Sequence, residues 1–302
     1  MALNTGLNDV ELGIFQGSSS QLQDLTPRPK GPKGPKGIQH PQDVDIQQGE
    51  QQKEEEQVYV FITGFGPFAG IEVNPTQILV DGLREDDQFW TSIHGDNDKN
   101  TKKVVLEQCQ VMKTCAKTVK AKLEQMHRDI LTKLRNEQAV EEEHMIPRGN
   151  TRKRVVFVHF GVHSIGKRFF VEKQAHNEAH FGYPDESGWQ PRFEKIDPRG
   201  TTPKATLRTT VPVKQLVDRL KAKNFDVVVS DDAGRYVCNW TYYNSMYLAN
   251  SQGVAIRSLG SESQLDPIPV PDVTVQVLFV HVPTFETIPE AVQIHFVREL
   301  IK

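Results

Sequence analysis

Four short apolar runs constrain the fold more than any other feature of this chain: Val58–Thr63 (VYVFIT), Val155–Phe160 (VVFVHF), Asp226–Ser230 (DVVVS) and Val275–Val282 (VQVLFVHV). They are rich in β-branched residues and nearly continuous. A strand with one wet face alternates apolar and polar residues; a strand covered on both faces does not. A weaker fifth candidate is Val104–Val111 (VVLEQCQV). Between the runs lie helical periods. Cys115, Val119, Leu123, Met126, Ile130 and Leu134 recur every three or four residues and form one apolar stripe. Val211–Leu220 reads as a shorter helix, with Pro212 tolerated in its first turn. Buried strands alternating with helices predict a single three-layer α/β/α domain over residues 58–302, built on a mostly parallel or mixed central sheet.

The first 57 residues contain no such run. They hold 13 apolar residues, five Lys/Arg and nine Asp/Glu, so the chain's net charge of −3 resides there and the remainder is close to neutral. Their middle, Pro27–Gly37, repeats Gly-Pro-Lys, and their end reads QQGEQQKEEEQ. Such segments bury too little apolar surface to offset the entropy of ordering, which predicts a disordered tail or linker. A near-neutral body lacks the basic footprint that grips a phosphate backbone, so no nucleic-acid partner is expected. Lys113–Arg135 carries seven Lys/Arg and two Asp/Glu, most simply a solvated helix face. No apolar stretch approaches the ~18 residues a spanning helix needs, so no membrane partner is expected. The N-terminus shows no basic segment followed by an apolar one, and three cysteines (Cys109, Cys115, Cys238) do not make a disulfide framework. A cytoplasmic address is the expectation.

Chemistry should gather where strands end, because ligands of open α/β sheets sit beyond the carboxyl ends. Val58–Thr63 runs into Gly64-Phe65-Gly66-Pro67-Phe68, Val155–Phe160 into Gly161-Val162-His163, and Asp226–Ser230 into Asp231-Asp232-Ala233-Gly234; the last run carries His281 before Pro283. Cys238 follows the third of these loops, where a helix is expected to begin. A helix N-terminus favours a thiolate, and its unpaired N–H groups can hold an oxyanion. The same residue read blandly is a small buried hydrophobe. A cysteine nucleophile needs a base and a group that orients the base. His281 ranks first among ten histidines because it ends an apolar strand on the side where Cys238 should open. His159 is mid-strand; His163, His176 and His180 lie in or near loops; His127 and His144 fall in polar surroundings; His94 and His295 are peripheral. The orienting acid stays open among Glu172, Asp185, Asp231 and Asp232. His159-x₃-His163 and His176-x₃-His180 have metal-like spacing, but no CxxC pair accompanies them and no metal is expected. Asn239-Trp240-Thr241 is a formal glycosylation sequon inside the expected helix, and is set aside.

Four segments resemble the pyroglutamyl-peptidase I family of cysteine peptidases: TGFGPFAGIEVNPT (Thr63–Thr76), FGVHSIGKRFFVEKQAHN (Phe160–Asn177), SDDAGRYVCNWTYYNSMY (Ser230–Tyr247) and FVHVP (Phe279–Pro283). The resemblance implies a nucleophile at Cys238, a base at His281 and an acid at Glu172. It implies substrate contacts at Phe65, Phe68, Tyr236 and Val237, with Asn74 holding the glycine-rich loop or the substrate. The implied activity is hydrolysis of the amide bond after an N-terminal pyroglutamyl residue, through a thioester and without metal or organic cofactor. Peptides bearing that residue are the implied partners, and the expected assembly is a monomer or weak homo-oligomer. A catalytically silent relative that acts as a binding or scaffold protein is the alternative. The sequence departs from the family in longer stretches near 86–102, 136–153 and 251–272, which read as surface insertions.

Overall fold

In the computed structural model β1 (Glu54–Phe65) turns its side chains alternately to two apolar layers, Val58, Val60 and Ile62 to one and Tyr59 and Phe61 to the other. That double burial is why the run is continuous in sequence. The structure describes residues 54–302 except 69, 94, 97–99, 145–150, 200–201, 203–204 and 252–272. After β1 come α1 (Pro75–Arg84), α2 (Asp87–Ser92), β2 (Gly95–Asp96), β3 (Asn100–Met112), α3 (Ala116–Glu143) and β4 (Thr151–Val162). Then follow β5 (Phe169–Glu172), β6 (Gln174–His176), β7 (Thr206–Arg208), α4 (Val213–Ala222), β8 (Val227–Ser230), α5 (Val237–Ser251), β9 (Val273–Val282) and α6 (Glu290–Ile301).

The central sheet runs β2-β3-β1-β4-β9-β5-β8, and β6 and β7 form a separate antiparallel ladder. Helices α1, α2, α4 and α6 pack on one face through Leu79, Trp90, Leu220 and Phe296, among others. Helices α3 and α5 cover the other, through Leu123, Met126, Tyr242 and Met246. This is the expected three-layer α/β fold. Strands β3, β1, β4 and β9 are mutually parallel, whereas β5 runs antiparallel to β9 and β8 runs parallel to β5. No described helix is long and apolar enough to cross a membrane.

Several boundaries differ from the sequence reading, each for a local reason. The expected tail, residues 1–57, lies outside the described residues up to residue 53. Its last four residues are instead the start of β1, where they pair with β3 and β4 and set Glu56 3.0 Å from Arg154. Backbone pairing and a cross-strand ion pair outweigh a composition that alone reads as disorder. The expected polar stretch 86–102 contains α2, capped by Asp86 Oδ1 accepting from Phe89 N–H at 3.0 Å, together with β2 and the start of β3. Residues 136–143 continue α3 instead of leaving it, as a run of helix formers without Gly or Pro can. Glu137 and Glu141 there reach Lys153 of β4 at 3.1 and 3.3 Å. Pro212 caps α4 from just outside its first turn. The expected insertion 251–272 lies outside the described residues after Ser251.

Candidate active site

The nucleophile candidate, Cys238, is the second residue of α5. The first backbone bond of that helix is Trp240 N–H to Tyr236 O at 3.1 Å. The N–H groups of Val237, Cys238 and Asn239 therefore precede the ladder, at the positive end of the helix. Asn239 pins this end. It is fully buried, accepts from His176 N–H at 2.8 Å and donates to the carbonyls of His176 and Glu178, both at 2.9 Å. The sequon asparagine is thus a structural clamp with no room for a glycan.

The route to the site differs from the one expected. Because β8 runs against β9, its carboxyl end points away from the end that carries His281. The chain turns back through Asp231–Tyr236, and Cys238 Sγ comes to lie over Gly161 of β4, which pairs with His281. A Cβ on Gly161 would sit 2.9 Å from that sulfur and 2.9 Å from the Phe279 ring, so only glycine leaves the thiol its seat.

His281 and Glu172 meet on neighbouring antiparallel strands. His281 Nδ1 lies 2.8 Å from Glu172 Oε1, both side chains are buried, and the ring packs against Phe279 at a centroid distance of 4.9 Å. The other nitrogen, Nε2, is left free of Glu172, and Cys238 acts on the ring from its seat over Gly161, the residue paired with His281. Burial is the largest influence on His281 and pushes its pKa down. Cys238 and then Glu172 act the other way and hold it above the ordinary histidine value. The second oxygen of Glu172 is buried without a partner, so the carboxylate depends on the imidazole for its compensation. The other acids left open by the sequence are engaged elsewhere. Asp231 pairs with Lys173 at 2.5 Å and Asp232 with Arg235 at 2.5 Å, while Asp185 caps α3 by accepting from Ala116 N–H at 2.9 Å.

Of the remaining candidates, Tyr236 and Phe68 are half-buried neighbours with ring centroids 6.1 Å apart. Phe65 and Val237 are buried in the apolar layer under α3 and α5. Asn74 is buried, caps α1 by accepting from Thr76 N–H at 3.1 Å, and donates to Gly66 O at 2.9 Å, so it holds the glycine-rich loop. The sequence reading missed Tyr183. Its ring lies 4.6 Å from that of Tyr236, and burial, then the charge of Cys238, raise its pKa. The aromatic-Gly-aromatic-Pro run Phe181–Pro184 was the available signal.

The other histidines separate by environment. His127, read as polar-facing, is instead fully buried on the apolar face of α3, stacked on Phe157 at 3.9 Å. The helical period places it there, one residue after Met126. Its Nε2 and that of His159 lie 3.3 and 2.9 Å from Ser245 Oγ, and His159 Nδ1 lies 2.7 Å from Thr63 Oγ1. His176 at the end of β6 and His180 in the loop beyond it brace α5, and His180 stacks on Phe193. Among the described residues no group of three or more His, Cys, Asp or Glu side chains is arranged to hold a metal ion.

Comparison with known proteins bears on this arrangement. Residues 150–260 match the family model described as pyroglutamyl peptidase. A pyrrolidone-carboxylate peptidase of Thermoanaerobacter sp. (strain X514) is 32% identical over 88 residues, 29% of this chain and 42% of that protein, so less than half of the relative is spanned. The pyrrolidone-carboxylate peptidase of Thermosipho melanesiensis is 26% identical over 193 residues, 64% of this chain and 76% of that protein. Two solved structures share the fold. Pyrrolidone carboxyl peptidase from Thermococcus litoralis has a TM-score of 0.54 at 18% identity, covering 80% of this chain and 91% of that one. The enzyme from Thermus thermophilus has a TM-score of 0.51 at 24% identity, covering 80% and 98%. The resemblance read from the sequence therefore holds in both sequence and fold.

Proposed function

We propose that this relative of the pyrrolidone-carboxylate peptidases is a cysteine-type omega peptidase that hydrolyses the amide bond after an N-terminal pyroglutamyl residue. The observation that carries the reading is the buried Glu172–His281 contact at 2.8 Å, with Cys238 Sγ seated over Gly161, the residue that pairs with His281. Cys238 Sγ attacks the pyroglutamyl carbonyl, and the N–H groups at the start of α5 hold the oxyanion. His281 delivers a proton to the departing amine, the C–N bond breaks, and a thioester remains. His281 then takes a proton from water as that water attacks the thioester, which releases pyroglutamate and restores the thiol. Glu172 keeps the imidazole in one tautomer and orientation throughout. Apart from substrate and water, each step uses only side chains and backbone of this chain, and no metal or organic cofactor is invoked.

Selectivity follows from the surroundings. Pyroglutamate is a neutral lactam with one N–H and one carbonyl. Phe68, Tyr236 and Tyr183 offer it aromatic walls, and a charged glutamate entering the same space loses hydration without compensation. Release of a fluorophore from a pyroglutamyl amide tests the proposal. Wild type should turn it over, Cys238→Ala should not, and a glutamyl amide should be a poor substrate. Equal rates for wild type and Cys238→Ala would refute it, and a folded wild type that binds pyroglutamyl peptide without cleaving it would mark a silent relative.

A further inference from the structure

A second histidine borders the catalytic one, and the mechanism above makes no use of it. His163 begins the turn that leaves β4. Its backbone N–H donates to Val282 O at 2.8 Å, one residue beyond His281, and Gly166 N–H closes the turn onto His163 O at 2.9 Å. The His163 ring meets the His281 ring nearly edge-on, with centroids 5.9 Å apart and planes at 87°. Its own face lies on Phe170, centroids 5.1 Å apart. A Cβ on Gly166 would stand 2.9 Å from His163 Nδ1 and 3.0 Å from the Phe170 ring, so the turn leaves this space to the imidazole. That Nδ1 is buried and has no hydrogen-bond partner.

We propose that His163 is a positioning residue for His281: as a neutral ring it joins Phe279 in confining the imidazole against Glu172, and on protonation it ceases to do so. The inference rests on the peptidase reading above. The groups facing His163 are His281 on β9 and Glu172 on β5; on its own turn lie Lys167 and Arg168, the latter 3.6 Å from Asp226. Burial first, then His281, lower its pKa, opposed by its own backbone and, more weakly, by Glu172, which keeps it uncharged in the neutral range. Below that range His163 gains a proton beside an imidazole that must itself be cationic to protonate the leaving amine. Two like charges at this separation oppose one another, so acid withdraws His281 from its working state.

The test compares His163→Phe, which keeps an aromatic wall and removes the titration, with His163→Ala, which removes both. The acid limb of kcat/KM for a pyroglutamyl amide should move down by about one pH unit in His163→Phe. In His163→Ala kcat should fall about tenfold or more with little change in KM, and His163→Phe should recover most of that loss. A parallel measurement, the rate of Cys238 alkylation by iodoacetamide against pH, reads the thiol–imidazole pair without any substrate and keeps the test valid if His163→Ala does not fold. An acid limb and alkylation profile identical in wild type and His163→Phe overturn the inference. An altered alkylation profile in a protein that cleaves no pyroglutamyl amide refutes the peptidase reading and leaves the placement of His163 standing.

Discussion

Acid should unfold this protein through two buried histidines that the proposed chemistry does not use. His127 and His159 are fully buried between α3, β4 and α5, share Ser245 as partner, and have pKa values pushed down to about 3 by burial. In the unfolded chain each titrates near the ordinary value of about 6.5. Between those limits the unfolded state binds a proton that the native state refuses, so stability falls as pH falls. Each unit of pH costs about 1.4 kcal/mol per histidine. From pH 6.5 to pH 5 that is about 2 kcal/mol each and about 4 for the pair, a large share of the 5–15 kcal/mol typical of a domain. His281 does not add to this window. Its folded pKa is raised, so its contribution is complete below about 6.5 and is lost only as pH rises toward the folded value. Urea unfolding followed by tryptophan fluorescence at pH 7 and pH 5 measures the difference. The double variant His127→Gln, His159→Gln should start less stable, because both rings are packed, and should lose much less between the two pH values. The reasoning fails if the double variant loses as much stability on acidification as wild type.

Other perturbations address the candidate site itself. Gly161→Ala places a methyl group within 2.9 Å of Cys238 Sγ and of Phe279, and should lower kcat for a pyroglutamyl amide by about 100-fold or more while the circular dichroism spectrum is retained. Glu172→Gln keeps the size of the side chain and removes its charge; kcat should drop about 10²–10⁴-fold with KM little changed, and a loss confined to KM would refute the orienting role proposed for Glu172. Asn239→Ala leaves a partly buried N–H and two partly buried carbonyls without their side-chain partner and should lower stability by about 1–3 kcal/mol, seen as a fall in Tm together with reduced activity.

The parts of the fold that could be read from the chain are those with a period. Val58–Thr63 and Val275–Val282 announce doubly covered strands, and the stripe from Val119 to Leu134 announces α3, because burial imposes apolar residues at geometrically fixed intervals. Strand β5 offered no such signal. It is four residues long, and its pattern is set by packing between β9 and β8. His127 misled for a related reason: a histidine among charged neighbours reads as exposed unless the helix face is followed residue by residue. At the candidate site, Cys238 and His281 stood out from their places after a turn and at a strand end. Glu172 did not, since three other acids were equally plausible and only their pairing with Lys173, Arg235 and the start of α3 sets them aside.

The sequence by itself determined that a sheet covered on both faces would form from Val58 onward, that helices would flank it, and that one thiol would follow its third apolar run. These follow from local propensities and from the apolar periodicities that burial demands. Only the tertiary structure decided the direction of β5 and β8, and with it the reversal that carries Cys238 back over Gly161. Strand direction is a property of which neighbour offers the free edge, and no single segment encodes it. The same holds for the contact between Glu172 and His281, 109 residues apart in the chain: two side chains that mean little separately become one buried pair because antiparallel pairing of β5 with β9 brings them to 2.8 Å.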